Sequence, residues 1–524
     1  MTCDLIKKNI AFNKKIGSQE TQILLEGDII VPDIKPDIES ILQTQNNISI
    51  EKTVISQDKI NFTGKLGIQI LYLAKTNQNK VYAINHICDI NDFINIDGIS
   101  LEMFCDLKAN VNSINYKILN DRKINFKAVV NIVAEVQEEY QKEIIVGIKD
   151  LNENQLLKKK FMVNRVVDIR FDRFIVKDEL NLNLNQPNIS EILMTDINIM
   201  QKEAKVTDGK ITVNGELILK ILYKPQDENN DLPIEFFEHE INFNGAFDVP
   251  KAKEFMLCDV NLFVQDKNFQ PKSNQDGEDR LIDLEIFVGA NIKLTAQDEL
   301  EILEDAYAIN KILDIKREKI KFQNIIGKNK MQTQIKEITQ LEKNCPDIAQ
   351  IIKINACSQI DDQHIIDDNL IVEGIIYVDI FYLTKDENNL FSTFKTVLPF
   401  KQTIEMHGIS SDMQANIISG VDYLNFNLLS HNEIELKILL GINCIISQEE
   451  YLKVITQIDF NDMDPNFLEN TPSMIIYVTQ KNDTLWQISK KYNINPDDLK
   501  QINEISSEIQ AGQKLLIVKN IIET

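Results

Sequence analysis

Side chains able to hold a metal ion crowd together at one place in the sequence: Asp361, Asp362, His364, Asp367 and Asp368, in the run DDQHIIDD. Mixed carboxylate and imidazole ligands at that spacing match no recognisable coordination geometry. The run lies just before an alternating apolar segment and reads as a solvated turn. The five histidines, His86, His239, His364, His407 and His431, are far apart. His86 and Cys88 alternate as on a strand and share a face, which reads as a core or edge pair. The spacings of a phosphate loop (GxxxxGK[ST]), a dinucleotide fingerprint (GxGxxG), a nucleophile elbow (GxSxG) and a zinc-protease helix (HExxH) are all missing. The expectation is therefore a non-enzyme with no catalytic residue, metal or cofactor. The chemistry left over is recognition, and Trp486, the only tryptophan, is its main candidate. It is either a part-buried helix residue or an exposed anchor of the kind enriched at interface hot spots.

Charge narrows the partner. The net charge is −24, which argues against general nucleic-acid binding and against an anionic membrane surface. The tail from residue 475 onward has six lysines and six acids, so the whole excess lies before it. Lys158, Lys159 and Lys160 read as a solvated patch. The seven cysteines are scattered, odd in number and without a CxxC pair, which suggests reduced thiols in a reducing compartment. The N-terminal residues lack the apolar stretch of a signal peptide, and no apolar run reaches 18 residues. These features together predict a cytoplasmic protein.

The elements that carry these residues are organised by a cassette that occurs three times. It runs Pro36–Tyr72, Pro187–Tyr223 and Pro346–Tyr382. In each copy the proline stands 28 residues before a glycine (Gly64, Gly215, Gly374), and the glycine 8 residues before the tyrosine. One domain type used three times is the simplest reading. Within the cassette, Ile60, Phe62, Gly64, Leu66, Ile68, Ile70 and Tyr72 alternate with mostly polar residues, the period of a strand with one buried face. The glycine falls on the apolar face, where it serves either close packing or a ligand that approaches the backbone. A second alternating run follows each cassette, beginning at Ile124, Ile282 and Ile434.

Pro36 is expected to open a short helix with Ile38, Ile41 and Leu42 on one side. Turns are expected at Lys75–Lys80, at Asp227, Glu228, Asn229 and Asn230, and at Asp386, Glu387, Asn388 and Asn389. The fold class is mainly β: three β-sandwich or barrel-like repeats of one topology, folding independently, over residues 1–150, 155–310 and 325–460. A proline-containing linker, 461–474, follows, and then a small domain over 475–519.

That last domain has its own grammar, strand–helix–helix–strand. Thr484 and Gln487 form a capping box, and Leu485, Ile488 and Tyr492 line one helix face. Asn495 caps a second helix with Pro496 at its first position and Asp497 and Asp498 at its positive end. The pattern resembles a LysM domain through Tyr477, Val478, Asp483, Thr484, Leu485, Trp486, Ile488, Tyr492, Leu499, Asn503, Gly512 and Gln513. Asn482 stands where the family usually has glycine; asparagine tolerates the positive φ, but its side chain crowds a sugar. The resemblance implies a binding site between two turns: Asn482, Asp483, Thr484, Leu485 and Trp486 on one side, Glu508, Ile509, Gln510 and Ala511 on the other. These positions also serve as structural caps, so two roles stay open.

Three such repeats, EGDIIVPDIKPDI near the start and a C-terminal LysM domain together resemble the SipL family of clostridial spore-coat morphogenesis proteins. That resemblance implies a mother-cell protein at the forespore surface. Its LysM domain would dock a coat morphogenetic ATPase, SpoIVA-like. The alternative is a protein anchored through the LysM domain to peptidoglycan or another N-acetylglucosamine-containing glycan.

Overall fold

The computed structural model describes residues 4–76, 80–149, 154–183, 185–226, 234–386, 390–463, 472–505 and 509–518. The turn at Asp227–Asn230 falls outside them, as do Glu387, Asn388 and Asn389, most of the 461–474 linker, part of the Lys75–Lys80 turn, and Glu508.

Alternation dictates strands, and the first repeat has six: β1 (Leu5–Ile30), β2 (Ile38–Ser56), β3 (Lys59–Ala74), β4 (Val81–Asn95), β5 (Phe104–Asn120) and β6 (Lys123–Ile148). They pair antiparallel into two three-stranded sheets, β2-β3-β4 and β1-β6-β5. The apolar face of β3 packs on that of β6, closing one sandwich core. The second repeat repeats this with β7 (Asn154–Asn181), β8 (Ile189–Thr207), β9 (Lys210–Pro225), β10 (Glu235–Asp248), β11 (Leu257–Ser273) and β12 (Asp279–Ala308). The third does so with β13 (Lys311–Gln340), β14 (Ile348–Ile366), β15 (Asn369–Thr384), β16 (Phe391–Glu405), β17 (Gln414–Ser430) and β18 (Glu433–Asp462). Their sheets have the same orders, β8-β9-β10 with β7-β12-β11, and β14-β15-β16 with β13-β18-β17.

The cassette spacings have a direct physical cause. The hydroxyls of Tyr72, Tyr223 and Tyr382 donate to the carbonyls of Pro36, Pro187 and Pro346 at 2.9, 3.2 and 3.1 Å. Each tyrosine thus ties the end of a central strand to the start of the strand beside it. The glycines settle on the packing reading: a Cβ at Gly64, Gly215 or Gly374 would lie 2.4, 2.2 and 2.2 Å from the carbonyl oxygens of Ser49, Met200 and Gln359. Each glycine faces a register shift in the neighbouring strand, at Ile50/Lys52, Gln201/Glu203 and Ile360/Asp362. The bulge presses that backbone inward, and only glycine leaves room.

The helix expected after Pro36 is a strand instead, since β2 begins at Ile38. Two bulges, at Ile38/Ser40 and Ile41/Gln43, each insert a residue into the ladder. They convert the strand's two-residue period into a three-residue spacing that imitates a helix face. The same pair of bulges recurs at Ile189/Glu191 and Ile192/Met194, and at Ile348/Gln350 and Ile351/Lys353.

Beyond its own core, each repeat buries apolar surface against the other two. Leu71, Leu222 and Phe381, on the face of the central strand opposite the cassette's apolar set, meet in one shared cluster. The far ends of the long strands meet in two more, one holding Ile144, Ile302 and Val454, the other Ile145, Leu303 and Ile455. A polar contact among all three repeats accompanies the first cluster. Lys353, 4% exposed, donates to Gln45 at 3.0 Å and lies 3.5 Å from Asp196, which accepts from Gln45 at 2.7 Å.

Candidate functional site

The tail is strand β19 (Met474–Val478), helix α1 (Leu485–Tyr492), helix α2 (Pro496–Ile502) and strand β20 (Lys514–Val518). The two strands pair antiparallel, and both helices pack on them through Ile488, Ile494, Leu499, Leu515 and Ile517. The caps are built as the residue types dictate. Thr484 accepts from the Gln487 N–H and Gln487 answers to Thr484, a full capping box. Asn495 caps α2, with Pro496 in its first turn. Asn482 adopts φ 74°, the left-handed conformation for which the family uses glycine. Asn503 accepts from Leu516 N–H at 2.6 Å and donates to the Leu516 and Leu499 carbonyls, joining α2 to β20.

The two turns of the expected site lie side by side. Thr479 donates its backbone N–H to the Gln513 carbonyl at 3.0 Å and accepts from Gly512 at 2.8 Å, while its hydroxyl bonds the Gln510 carbonyl. Asn482, Thr484, Gln510 and Ala511 are exposed there. Asp483 turns inward and accepts from the Gln480 N–H and the Tyr477 hydroxyl, both at 2.7 Å. These bonds hold its carboxyl below the usual carboxylate range. Leu485 and Ile509 pack against the domain core.

Trp486 leaves this group. Its indole N–H donates to Asp305 at 2.9 Å, and its ring meets the Tyr307 ring edge-on with centroids 5.0 Å apart. Lys490, one turn further along α1, donates to both Asp305 oxygens at 2.7 Å. Arg317 of β13 reaches the same carboxylate at 2.5 Å, and the Tyr307 hydroxyl donates to the Ile494 carbonyl at 2.7 Å. Burial pushes the Asp305 carboxyl up, but the hydrogen bonds from Lys490 and Trp486 and the charges of Lys490 and Arg317 outweigh it and hold it low. Asp305 and Tyr307 lie some 180 residues before their partners, and neither has a local sequence signature. The one available signal is comparative. The positions paired alike in the other repeats carry Gly147 and Lys149, and Gln457 and Asp459, so the Asp-x-Tyr pair belongs to the second repeat alone.

The other sequence candidates have structural roles. Asp367 and Asp368 take positive φ at the β14–β15 turn, and Asp368 accepts from Gly408 N–H at 2.9 Å. His364 lies 3.8 Å from Asp362. Among the described residues no three His, Cys, Asp or Glu side chains are placed to share a metal ion. His86 lies beside Phe126, and Cys88 packs on the first core. Lys158 and Lys160 pair with Glu301 and Glu299 across strands. No helix among the described residues is long and apolar enough to cross a membrane.

Comparison with known families identifies the repeats. Residues 37–119, 188–272 and 347–429 each match the SipL, SPOCS domain, and residues 477–518 match the LysM domain. The matched repeats start one residue after each cassette proline and span the strands from β2 to β5 and their counterparts. The outer long strands complete each sandwich. No curated protein matches the sequence, and no solved structure matches it.

Proposed function

We propose that this SipL-like chain, three SPOCS domains followed by a LysM domain, is a non-enzymatic adaptor in spore-coat assembly. Its LysM tail would dock a coat morphogenetic ATPase, SpoIVA-like, at the mother-cell side of the forespore surface. The two domain types make it a sporulation-related protein with a peptidoglycan-binding-like tail, and both are non-catalytic binding domains. The observation that carries the docking reading is the order of domains: a large acidic body bound to a small tail of no net charge. The body supplies a scaffold through its shared clusters, and α1 carries a tryptophan and a lysine on one face, both bonded to Asp305 of that body. Purified ATPase of the coat, titrated against the full chain and against a chain ending at residue 463, tests this. Loss of binding on removing the tail is expected, and equal binding would refute it.

A second reading, attachment to an N-acetylglucosamine-containing glycan, is favoured by the adjacent exposed turns at Asn482–Thr484 and Gln510–Ala511. The Asn482 side chain stands in the first of these turns. Retention of the full chain on peptidoglycan, lost in the truncated chain, is what that reading requires.

A further inference from the structure

The contact between the tail and the body is made by chemistry that ordinary packing does not require. Each repeat has a bulge near the end of its last long strand, at Val146, Glu304 and Thr456, directly before Gly147, Asp305 and Gln457. A bulge re-aims the side chain beside it. Only in the second repeat is that side chain an acid, with an aromatic ring two residues on, and residues two apart on a strand project from the same side. The α1 face answers both groups. Trp486 offers an N–H donor and a ring, and Lys490 an ammonium within 2.7 Å of both carboxylate oxygens. The Asp305 side chain is only 17% exposed. Trp486 is absent from the tail's own core cluster, so the tail does not need it to close.

We propose that the α1 face carrying Trp486 and Lys490 is a receptor for an extended segment with a carboxylate and an aromatic ring two residues apart. The chain fills that receptor with its own Asp305 and Tyr307, and a partner reaching the face must displace them with the same chemistry. The internal contact stands by itself. The partner's displacement of it rests on the docking reading above and supplies that reading with a recognition code and a latch. A face open one-tenth of the time binds about tenfold more weakly than one always open.

Because Trp486 is the only tryptophan, its fluorescence in the full chain reports the latch directly. The variants are Asp305→Ala and, on the tail's side of the contact, Lys490→Ala, each checked for wild-type circular dichroism. The probe is a synthetic peptide of residues 301–309, Glu-Ile-Leu-Glu-Asp-Ala-Tyr-Ala-Ile. Acrylamide quenching of Trp486 is expected to rise in both variants. The peptide is expected to bind Asp305→Ala about tenfold more tightly than wild type, and to bind Lys490→Ala no better than wild type. Wild-type quenching in the folded variants overturns the latch, as does peptide affinity equal in wild type and Asp305→Ala. If Asp305→Ala does not fold, quenching in Lys490→Ala decides alone. The two readings fail separately. Unchanged quenching removes the latch and leaves docking in place, whereas an N-acetylglucosamine oligomer binding Asp305→Ala while the coat ATPase does not would remove docking and leave the latch.

Discussion

Two residues of the cassette explain its rigidity, and both can be tested singly. At Gly215 a Cβ would meet the Met200 carbonyl at 2.2 Å and the Phe243 ring at 2.8 Å. The ring can move, but the backbone of β8, held to β9 on both sides of the bulge, cannot. Gly215→Val should therefore destabilise the chain by about 1–3 kcal/mol or more, seen as a lower thermal midpoint. Gly67 sits on the same kind of strand, yet its nearest neighbour is 3.7 Å away. Gly67→Ala should stay within about 0.5 kcal/mol of wild type, and equal effects at the two sites would sink the steric account. At Tyr223 the hydroxyl bond to Pro187 is the removable part. Tyr223→Phe should cost roughly 0.5–1.5 kcal/mol in urea unfolding, with no change in strand content. At this scale the spacing in the sequence was fully legible, because a hydrogen bond and a steric limit repeat wherever the strand register repeats.

Among the elements, α1 joins a local signal to a distant one. Its capping box was readable from Thr484 and Gln487, since the cap lies within four residues of chain. Thr484→Ala should weaken the helix by about 1 kcal/mol, which would appear as roughly fivefold faster hydrogen exchange at the first α1 amides. The far side of α1 depends on Asp305, and there pH is the lever. The folded carboxyl titrates below its unfolded value. Its contribution is then complete above the ordinary carboxylate range, near pH 4, and is lost as pH falls through the lower folded value. Trp486 emission should stay constant from neutral pH to about 4.5 and shift only below that; a transition near neutrality would rule out Asp305 as the controlling group. The β2 segment shows how a local reading goes astray. Ile38, Ile41 and Leu42 have helical spacing only because two bulges stretch a strand's period. Propensity and period cannot report a bulge whose cause is the neighbouring strand.

At the scale of the whole molecule a buried charge pair, Asp196 of the second repeat with Lys353 of the third, is bridged by Gln45 of the first. Burial opposes ionisation of Asp196, but Lys353 and Lys267 beside it hold its carboxyl low. Asp196→Ala would leave Lys353 buried without its partner and should cost about 3–5 kcal/mol. Replacing the pair together, Asp196→Asn with Lys353→Met, should recover the part of that loss that comes from Lys353, since Met194 already fills the corresponding position in the second repeat, while Lys267 still lacks its carboxylate. Urea unfolding of the single and double variants would show it. A double variant as unstable as the single would mean that the charge contact is not what the site requires. An excised repeat would expose the residues of three shared clusters, so its unfolding midpoint should fall below that of the whole chain.

The sequence by itself determined the mainly β fold, the triplication, the register of each central strand and the βααβ tail. All of these rest on periodicity and caps, which are properties of neighbouring residues. Only the tertiary structure decided that Leu71, Leu222 and Phe381, on the second face of those strands, are buried as deeply as the first face. It alone also decided that Trp486 meets Asp305 and Tyr307. Both facts arise from surfaces far apart in the chain, and no spacing along a strand or helix records what another repeat will press against it.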